Sequence, residues 1–199
     1  FDLFLITNRY LRLVSGNTLR SKRLKRTALG SVVSLAALIV IIGSLHFNTI
    51  RTSTYTLNIP KKSSGLKHLK IAFVADFHIN KRTSPHFVGR FVQKIRQVNP
   101  DLMLFGGDVV EGHSNEATTE HAKILSKINP KYGMYSSIGN HELYGRANYK
   151  PFFRNAGIEI LADSAAVIAG SVNITGRYDN HKHDRKPIGE LMRGITNSL

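Results

Sequence analysis

The stretch from Pro100 to Gly112, PDLMLFGGDVVEG, limits the possible folds of this chain more than any other. Leu102, Met103, Leu104 and Phe105 form an uninterrupted apolar run, which suits a strand of a parallel sheet covered on both faces. Gly106 and Gly107 end that strand, and a backbone without Cβ atoms lets another segment or an ion approach closely. Asp108 then stands at the carboxyl end of a buried strand, where open α/β sheets bind their ligands.

Two further stretches repeat this layout. Lys70 to His78, KIAFVADFH, is an apolar strand that finishes in Asp76 and His78, and Met134 to Glu142, MYSSIGNHE, finishes in Asn140, His141 and Glu142. Three predicted strands thus each deliver carboxylate, amide or imidazole groups just beyond their last apolar residue. Asp, His and Asn together suit a divalent cation that prefers nitrogen and oxygen donors, such as Mn, Fe or Zn. No thiolate competes, because the chain has no cysteine.

From Lys70 onward strand and helix patterns alternate, the signature of α/β organisation. Ser84 is placed to cap a helix over Pro85 to Val98, with Phe87, Val88, Phe91, Val92 and Ile95 on one face, and Asn99-Pro100 stops it. A second helix is predicted over Glu116 to Ile128 and a short third over Tyr149 to Asn155, ending near Gly157. Ile158 to Leu161, Ala165 to Ile168 and Ser171 to Thr175 read as short strands. The stretch 48–69 is polar, with Pro60, Ser63, Ser64 and Gly65, and alternates at Tyr55, Leu57 and Ile59; it is expected to be a linker with an edge strand.

The net charge of +15 first suggests a nucleic-acid binder. Its distribution argues otherwise, since +11 of it falls in residues 1–70 and only +4 in residues 71–199, with no aromatic platform beside it. The basic arm flanks an apolar segment. No charged residue occurs from Thr27 to Ile50, and residues 28–47, ALGSVVSLAALIVIIGSLHF, match the roughly 20 residues that cross a bilayer. A buried core helix or a signal-peptide apolar region would share that composition, but a signal normally lies nearer the start and is shorter. Arg20, Lys22, Arg23, Lys25 and Arg26 make residues 1–27 a basic juxtamembrane segment. The positive-inside rule then predicts a cytoplasmic flank and a downstream domain on the extracytoplasmic side. Phe1 to Val14 reads either as the end of an earlier span or as an amphipathic surface segment.

Asp76-Phe77-His78, Gly107-Asp108 and Gly139-Asn140-His141-Glu142, in that order and each after a strand, resemble the first three motifs of the calcineurin-like metallophosphoesterases. The resemblance extends to the membrane-anchored bacterial branch through Gly157 to Ser164 and through Gly176-Arg177-Tyr178-Asp179. It implies an α/β domain over residues 70–199, the N-terminal half of an αββα sandwich, preceded by a transmembrane helix. It implies two divalent metal ions, with Asp76 and His78 on the first, Asp108 bridging both and Asn140 on the second. His141 would face the scissile phosphate as general acid or charge stabiliser, and a two-metal-activated water would hydrolyse a phosphoester or pyrophosphate bond. The substrate would be a phosphoester, including lipid-linked ones, and the partner a membrane. Glu142 receives no chemical role. The resemblance also implies further C-terminal histidines, one after a strand and then a Gly-His-x-His element. His181 and His183 in DNHKHD lack that setting, and a solvated loop is expected for them. The sequence is therefore expected to be part of a longer protein, or else a half-site that serves as a metal-binding or regulatory module. Arg177 could contact a phosphate, or pair with Asp179 or another carboxylate.

Overall fold

The computed structural model describes residues 2–11, 21–47, 49–59, 66–111, 116–144 and 148–193. The predicted turn at Pro60 to Gly65 lies outside the described residues, as does Arg20 of the basic cluster. The chain divides into two units, Phe1–Thr52 and Ser53–Leu199.

The first unit consists of α1 (Asp2–Leu11) and α2 (Lys22–Phe47). None of the 26 residues of α2 is buried, although Leu29, Val32, Val33, Leu38, Ile39 and Val40 all lie on it. At 1.5 Å per residue such a helix is about 39 Å long, more than the ~30 Å hydrocarbon core of a bilayer. It is long and apolar enough to cross a membrane. The basic cluster of Lys22, Arg23, Lys25 and Arg26 forms the first turns of this helix rather than a separate segment before it.

The second unit is built on four parallel strands in the order β1-β2-β3-β4: β1 (Ile71–Val74), β2 (Leu102–Phe105), β3 (Met134–Ser136) and β4 (Ile158–Ile160). The register aligns Val74 with Phe105 and Phe105 with Ser136, so the three site-bearing strands end side by side. Helices α3 (Pro85–Val98), α4 (Glu116–Leu125) and α6 (Lys150–Ala156) form the covering layer, α4 packing between the other two. Val88, Phe91, Val92, Leu125, Phe152 and Phe153 join Met103, Phe105, Met134 and Ile158 in one core. Between β3 and α6 stands a single helical turn, α5 (Asn140–Leu143). Beyond β4, β5 (Ser164–Ile168) and β6 (Val172–Gly176) pair antiparallel as a separate two-stranded sheet, and a last short turn, α7 (Ile188–Leu191), follows.

Local chemistry explains most of these boundaries. Pro85 occupies the first turn of α3, where its missing N–H costs nothing. Ser84 holds the extended cap conformation but makes no side-chain cap bond, so it fills the position without supplying the expected hydrogen bond. Asn99 closes α3 in the left-handed region at φ 49°, its N–H donating to the Ile95 carbonyl at 2.9 Å, and Gly157 closes α6 at φ 70°. The second predicted helix stops at Leu125, three residues early, and Ser126 to Ile128 continue as tighter turns before Pro130.

One expectation is corrected. Tyr55, Leu57 and Ile59 form no edge strand; Arg51 to Ile59 carries no regular structure, and these three side chains are 86, 82 and 53% exposed. Alternation gives a strand its two faces, but a strand also needs a ladder partner for its N–H and C=O groups. β2 is buried on both faces, as its apolar run predicts, with Leu102 and Met103 both at 0% exposure, whereas the edge strand β1 is covered on one face. Met103, Phe105, Met134 and Ile158 point into the buried layer, whereas Ile71 and Phe73, on the alternate positions of β1, are 45 and 69% exposed. The αββα sandwich therefore shows one α-layer and one parallel sheet, with β5–β6 as the other sheet among the described residues.

Candidate metal centre

The loops that leave β1 and β2 continue to pair after the strands end. The Asp76 N–H donates to the Gly107 carbonyl at 3.2 Å, His78 to Asp108 at 2.9 Å, Ile79 to Val109 at 2.9 Å, and Glu111 back to Ile79 at 2.8 Å. Asp76, His78 and Asp108 adopt left-handed backbone conformations, with φ of 54°, 51° and 51°. Asp and His tolerate this region better than most residues, yet three such residues in two neighbouring loops is a concentration of strain typical of functional sites.

These loops bring His78, Asp108 and His141 together, with one ligand atom from each lying within 4.8 Å of the others. The Asp76 carboxylate stands 3.9 Å from His78 Nε2, with its side chain 72% exposed. Asn140 opens α5 immediately before His141. Two imidazoles and two carboxylates form a nitrogen–oxygen donor set of the kind divalent cations take.

The groups behind these side chains support that fit. His78 Nδ1 lies 2.8 Å from Glu111 Oε1, and a carboxylate only accepts, so Nδ1 carries the proton and Nε2 keeps its lone pair for a cation. The same Glu111 oxygen is 3.5 Å from His141 Nδ1, and the two imidazoles meet edge to face at 4.4 Å. Asn80 Nδ2 donates to the other Glu111 oxygen at 3.0 Å, while its own N–H is held by Thr83 Oγ1 at 3.0 Å. Asp108 Oδ1 accepts the His141 N–H at 2.8 Å, leaving its second oxygen for a ligand.

Glu142 is the residue that joins the strand ends. Although 1% exposed, its carboxylate accepts four backbone N–H bonds: Val109 at 2.6 Å and Val110 at 3.0 Å on Oε1, Asp108 at 3.0 Å and Gly139 at 2.9 Å on Oε2. One side chain thereby ties the β2 loop to the β3 loop. The approach requires glycine on both sides. A Cβ on Gly107, which has φ 93°, would lie 2.8 Å from the Gly139 nitrogen, and one on Gly139 would collide with Asp108 Oδ1 and lie 2.5 Å from the Asp108 nitrogen.

Sequence reasoning brought Asp76, His78, Asp108, Asn140 and His141 to one region and missed Glu111 and Glu142. Glu142 follows Gly139 by three residues, the spacing at which a Glu reaches back to a helix-start N–H, and that was the available signal. Arg177 Nε donates to the Lys186 carbonyl at 2.9 Å, and among the described residues Arg177 forms no ion pair with Asp179. The DNHKHD loop is exposed at His181 and His183, as expected, but it is not detached. Asp179 Oδ1 accepts the His181 N–H at 2.9 Å and bonds its Nδ1 at 2.5 Å. These bonds, the backbone one foremost, hold the Asp179 carboxyl below its ordinary value.

A parallel α/β sheet whose adjacent strand ends gather His78, Asp108 and His141, with Asp76 beside them, presents a group that could hold a divalent cation. The calcineurin-like phosphoesterase family profile matches residues 69–190, and the chain belongs to that family. It is 27% identical over 120 residues to a UDP-2,3-diacylglucosamine pyrophosphatase, LpxG, of Chlamydia muridarum, covering 57% of this chain and 36% of that protein. An uncharacterized metallophosphoesterase of Aquifex aeolicus is 29% identical over 164 residues, 80% of this chain and 60% of the relative. A transmembrane protein with a metallophosphoesterase domain from Danio rerio is 26% identical over 113 residues, 55% of this chain and 25% of the relative. The chain thus spans less than two thirds of the length of these relatives.

Proposed function

We propose that this chain is the metal-binding portion of a membrane-anchored phosphoesterase that hydrolyses a phosphoester or pyrophosphate bond. The observation that carries this reading is the gathering of His78, Asp108 and His141 ligand atoms within 4.8 Å at adjacent strand ends. Asp76, His78, Asp108 and Asn140 are the residues we assign to two divalent cations, with Mn, Fe and Zn all compatible with the donor set. Bound divalent metal supplies Lewis acidity, lowering the pKa of water and neutralising charge on phosphoryl oxygens.

The protein's own groups do the rest. Glu111 keeps the His78 proton on Nδ1, so that Nε2 faces the cation site. In our reading His141 touches the scissile phosphate and donates a proton or hydrogen bond as charge moves to the leaving oxygen, while Glu111, 3.5 Å from its Nδ1, orients it. Glu142 and the two glycines hold Asp108 fixed as negative charge builds.

The similarity to a UDP-2,3-diacylglucosamine pyrophosphatase, together with helix α2, supports a lipid-linked phosphoester as substrate and a membrane as partner. The basic turns of α2 support a cytoplasmic flank and a domain on the extracytoplasmic side. The test is Asp108→Asn in the full-length protein purified in detergent and supplied in turn with Mn, Fe and Zn. Turnover of bis-p-nitrophenyl phosphate should require metal and fall at least about 1,000-fold in the variant, as expected for loss of a group that holds the catalytic metal. Hydrolysis that survives the substitution would put the chemistry elsewhere, and tight metal binding without any hydrolysis would favour the regulatory-module alternative.

A further inference from the structure

The metal cluster does not end at His141. His141 meets the Tyr144 ring at 5.5 Å and 60°, and Tyr144 meets the His181 ring at 5.8 Å and 78°. Tyr144 is 48% exposed and the His181 side chain 62% exposed, so this line of rings runs from the proposed metal site along an open rim. The loop that carries His181 is anchored at the same strand end as the site. Tyr178 bridges to Ile138, and the Asp179 N–H donates to the Ile138 carbonyl at 2.9 Å, one residue before Gly139-Asn140-His141.

We propose that His181, set by Asp179 and Tyr144, is a specificity-determining residue that binds the second phosphate of a pyrophosphate-linked substrate. The inference rests on the phosphoesterase reading above and adds the group that would distinguish two phosphates from one. Asp179 fixes the imidazole twice, through its backbone N–H and through Nδ1, so the Nδ1 proton is committed and Nε2 is the ring nitrogen left to meet a ligand. The loop's other cations are occupied in shaping it. Arg185 donates to the Tyr178 carbonyl at 3.1 Å and to Asn180 Oδ1 at 2.7 Å, Arg177 to the Lys186 carbonyl, and Lys182 pairs with Asp184 at 2.5 Å. Asp163 accepts the Tyr178 and Lys186 N–H groups and Glu190 lies 3.9 Å from the Lys186 Nζ, so with Asp179 and Asp184 the loop's four cations are balanced and the His181 ring is the group left for an anion. One oriented, exposed imidazole suits a phosphate oxygen: with Nδ1–H held by Asp179, the doubly protonated ring donates its Nε2–H to the anion in a charge-assisted bond. A substrate with one phosphorus would end at His141. One with two would carry its second phosphate along the ring line toward His181.

The full-length, metal-loaded protein is assayed with bis-p-nitrophenyl phosphate and with a nucleoside diphosphate sugar, in the wild type and in His181→Ala. Loss of one charge-assisted hydrogen bond should lower the ratio of kcat/KM between the diphosphate and the single-phosphorus substrate about 10- to 100-fold, mainly through KM. Tyr144→Leu should lower the same ratio and Tyr144→Phe restore it, because the ring and not the hydroxyl supports His181. In parallel, the metal-free protein is titrated with inorganic pyrophosphate and with orthophosphate while the His181 imidazole resonances are followed; pyrophosphate should shift them at lower concentration. An unchanged ratio, or His181 resonances that respond equally to both anions, overturns the assignment. Because the titration does not depend on turnover, selective pyrophosphate binding in a protein that hydrolyses nothing would defeat the phosphoesterase reading and leave this one standing.

Discussion

Glu142→Gln tests whether one buried carboxylate holds the candidate metal centre together. The wild-type side chain takes four N–H donors, two on each oxygen, at 2.6–3.0 Å. An amide of the same shape keeps one oxygen and turns an NH₂ group toward the other two donors. Two backbone N–H groups then lose their partner in a site where Glu142 is 1% exposed. At about 1–3 kcal/mol per unsatisfied buried group, the loss is about 2–6 kcal/mol. Against a typical stability of about 5–15 kcal/mol this is large, and for a domain of this size it lowers Tm on the order of 10 °C. The assay is thermal unfolding of the metal-free protein in detergent, followed by near-UV circular dichroism, with metal affinity measured by calorimetry on the same samples. Glu159→Gln, at an exposed position on β4, serves as control and should move Tm by about a degree or two. A Glu142→Gln protein with wild-type Tm and metal affinity would refute the reasoning. It would mean that desolvating the carboxylate costs as much as its four bonds return.

Gly139→Ala should weaken metal binding more than Gly170→Ala does, because its Cβ would collide with Asp108 whereas a Cβ at Gly170 meets nothing; competition with a chelating dye reads the difference. Acidification should release the His181 loop. Asp179 is held below its ordinary value of 3.8, so its contribution is complete above that value and lost as pH falls through the lower folded one. Amide exchange at residues 177–181 should therefore lose its protection below about pH 4, and Asp179→Asn should weaken that pH dependence, with Asp184, held down by its bond to Lys182, supplying the rest. His121→Ala should lower Tm by several degrees, since His121 is 1% exposed on α4 and its Nε2 donates to the Thr83 carbonyl at 2.8 Å. That substitution leaves both a cavity and an unpaired carbonyl in the loop that carries Asn80.

The parallel sheet was legible because its strands are short apolar runs with their polar residues gathered at one end. Leu102 to Phe105 could hardly be anything but a buried strand, and Gly106-Gly107 marked where it stops. Helix α3 was legible from the spacing of Phe87, Val88, Phe91 and Val92 together with its Pro and Asn-Pro punctuation. The segment at Tyr55 to Ile59 was misread because period-two alternation reports only which faces a strand would have, whereas a strand forms when a neighbour pairs with it. Glu142 was missed for a related reason. This carboxylate gains its role from N–H groups that lie more than 30 residues away in the sequence, at Asp108, Val109 and Val110.

The two glutamates divide the labour at this site in a way that the motif residues alone do not convey. Glu142 takes only backbone donors, so it fixes where the Asp108 and Gly139 loops lie relative to each other. Glu111 takes mainly side-chain donors, from His78, Asn80 and, at longer range, His141, so it fixes which imidazole nitrogen faces the cluster. The left-handed conformations of Asp76, His78 and Asp108 cost energy that neither residue could recover alone. Glu142 joins the β2 and β3 loops through the main chain, and Glu111 joins the β2 loop to the β1 loop through side chains. Removing Glu142 should therefore spread disorder to both loops, whereas removing Glu111 should leave the backbone in place and free the imidazoles to turn. The strain at these two adjacent strand ends persists because two independent sets of bonds converge on the loop between them.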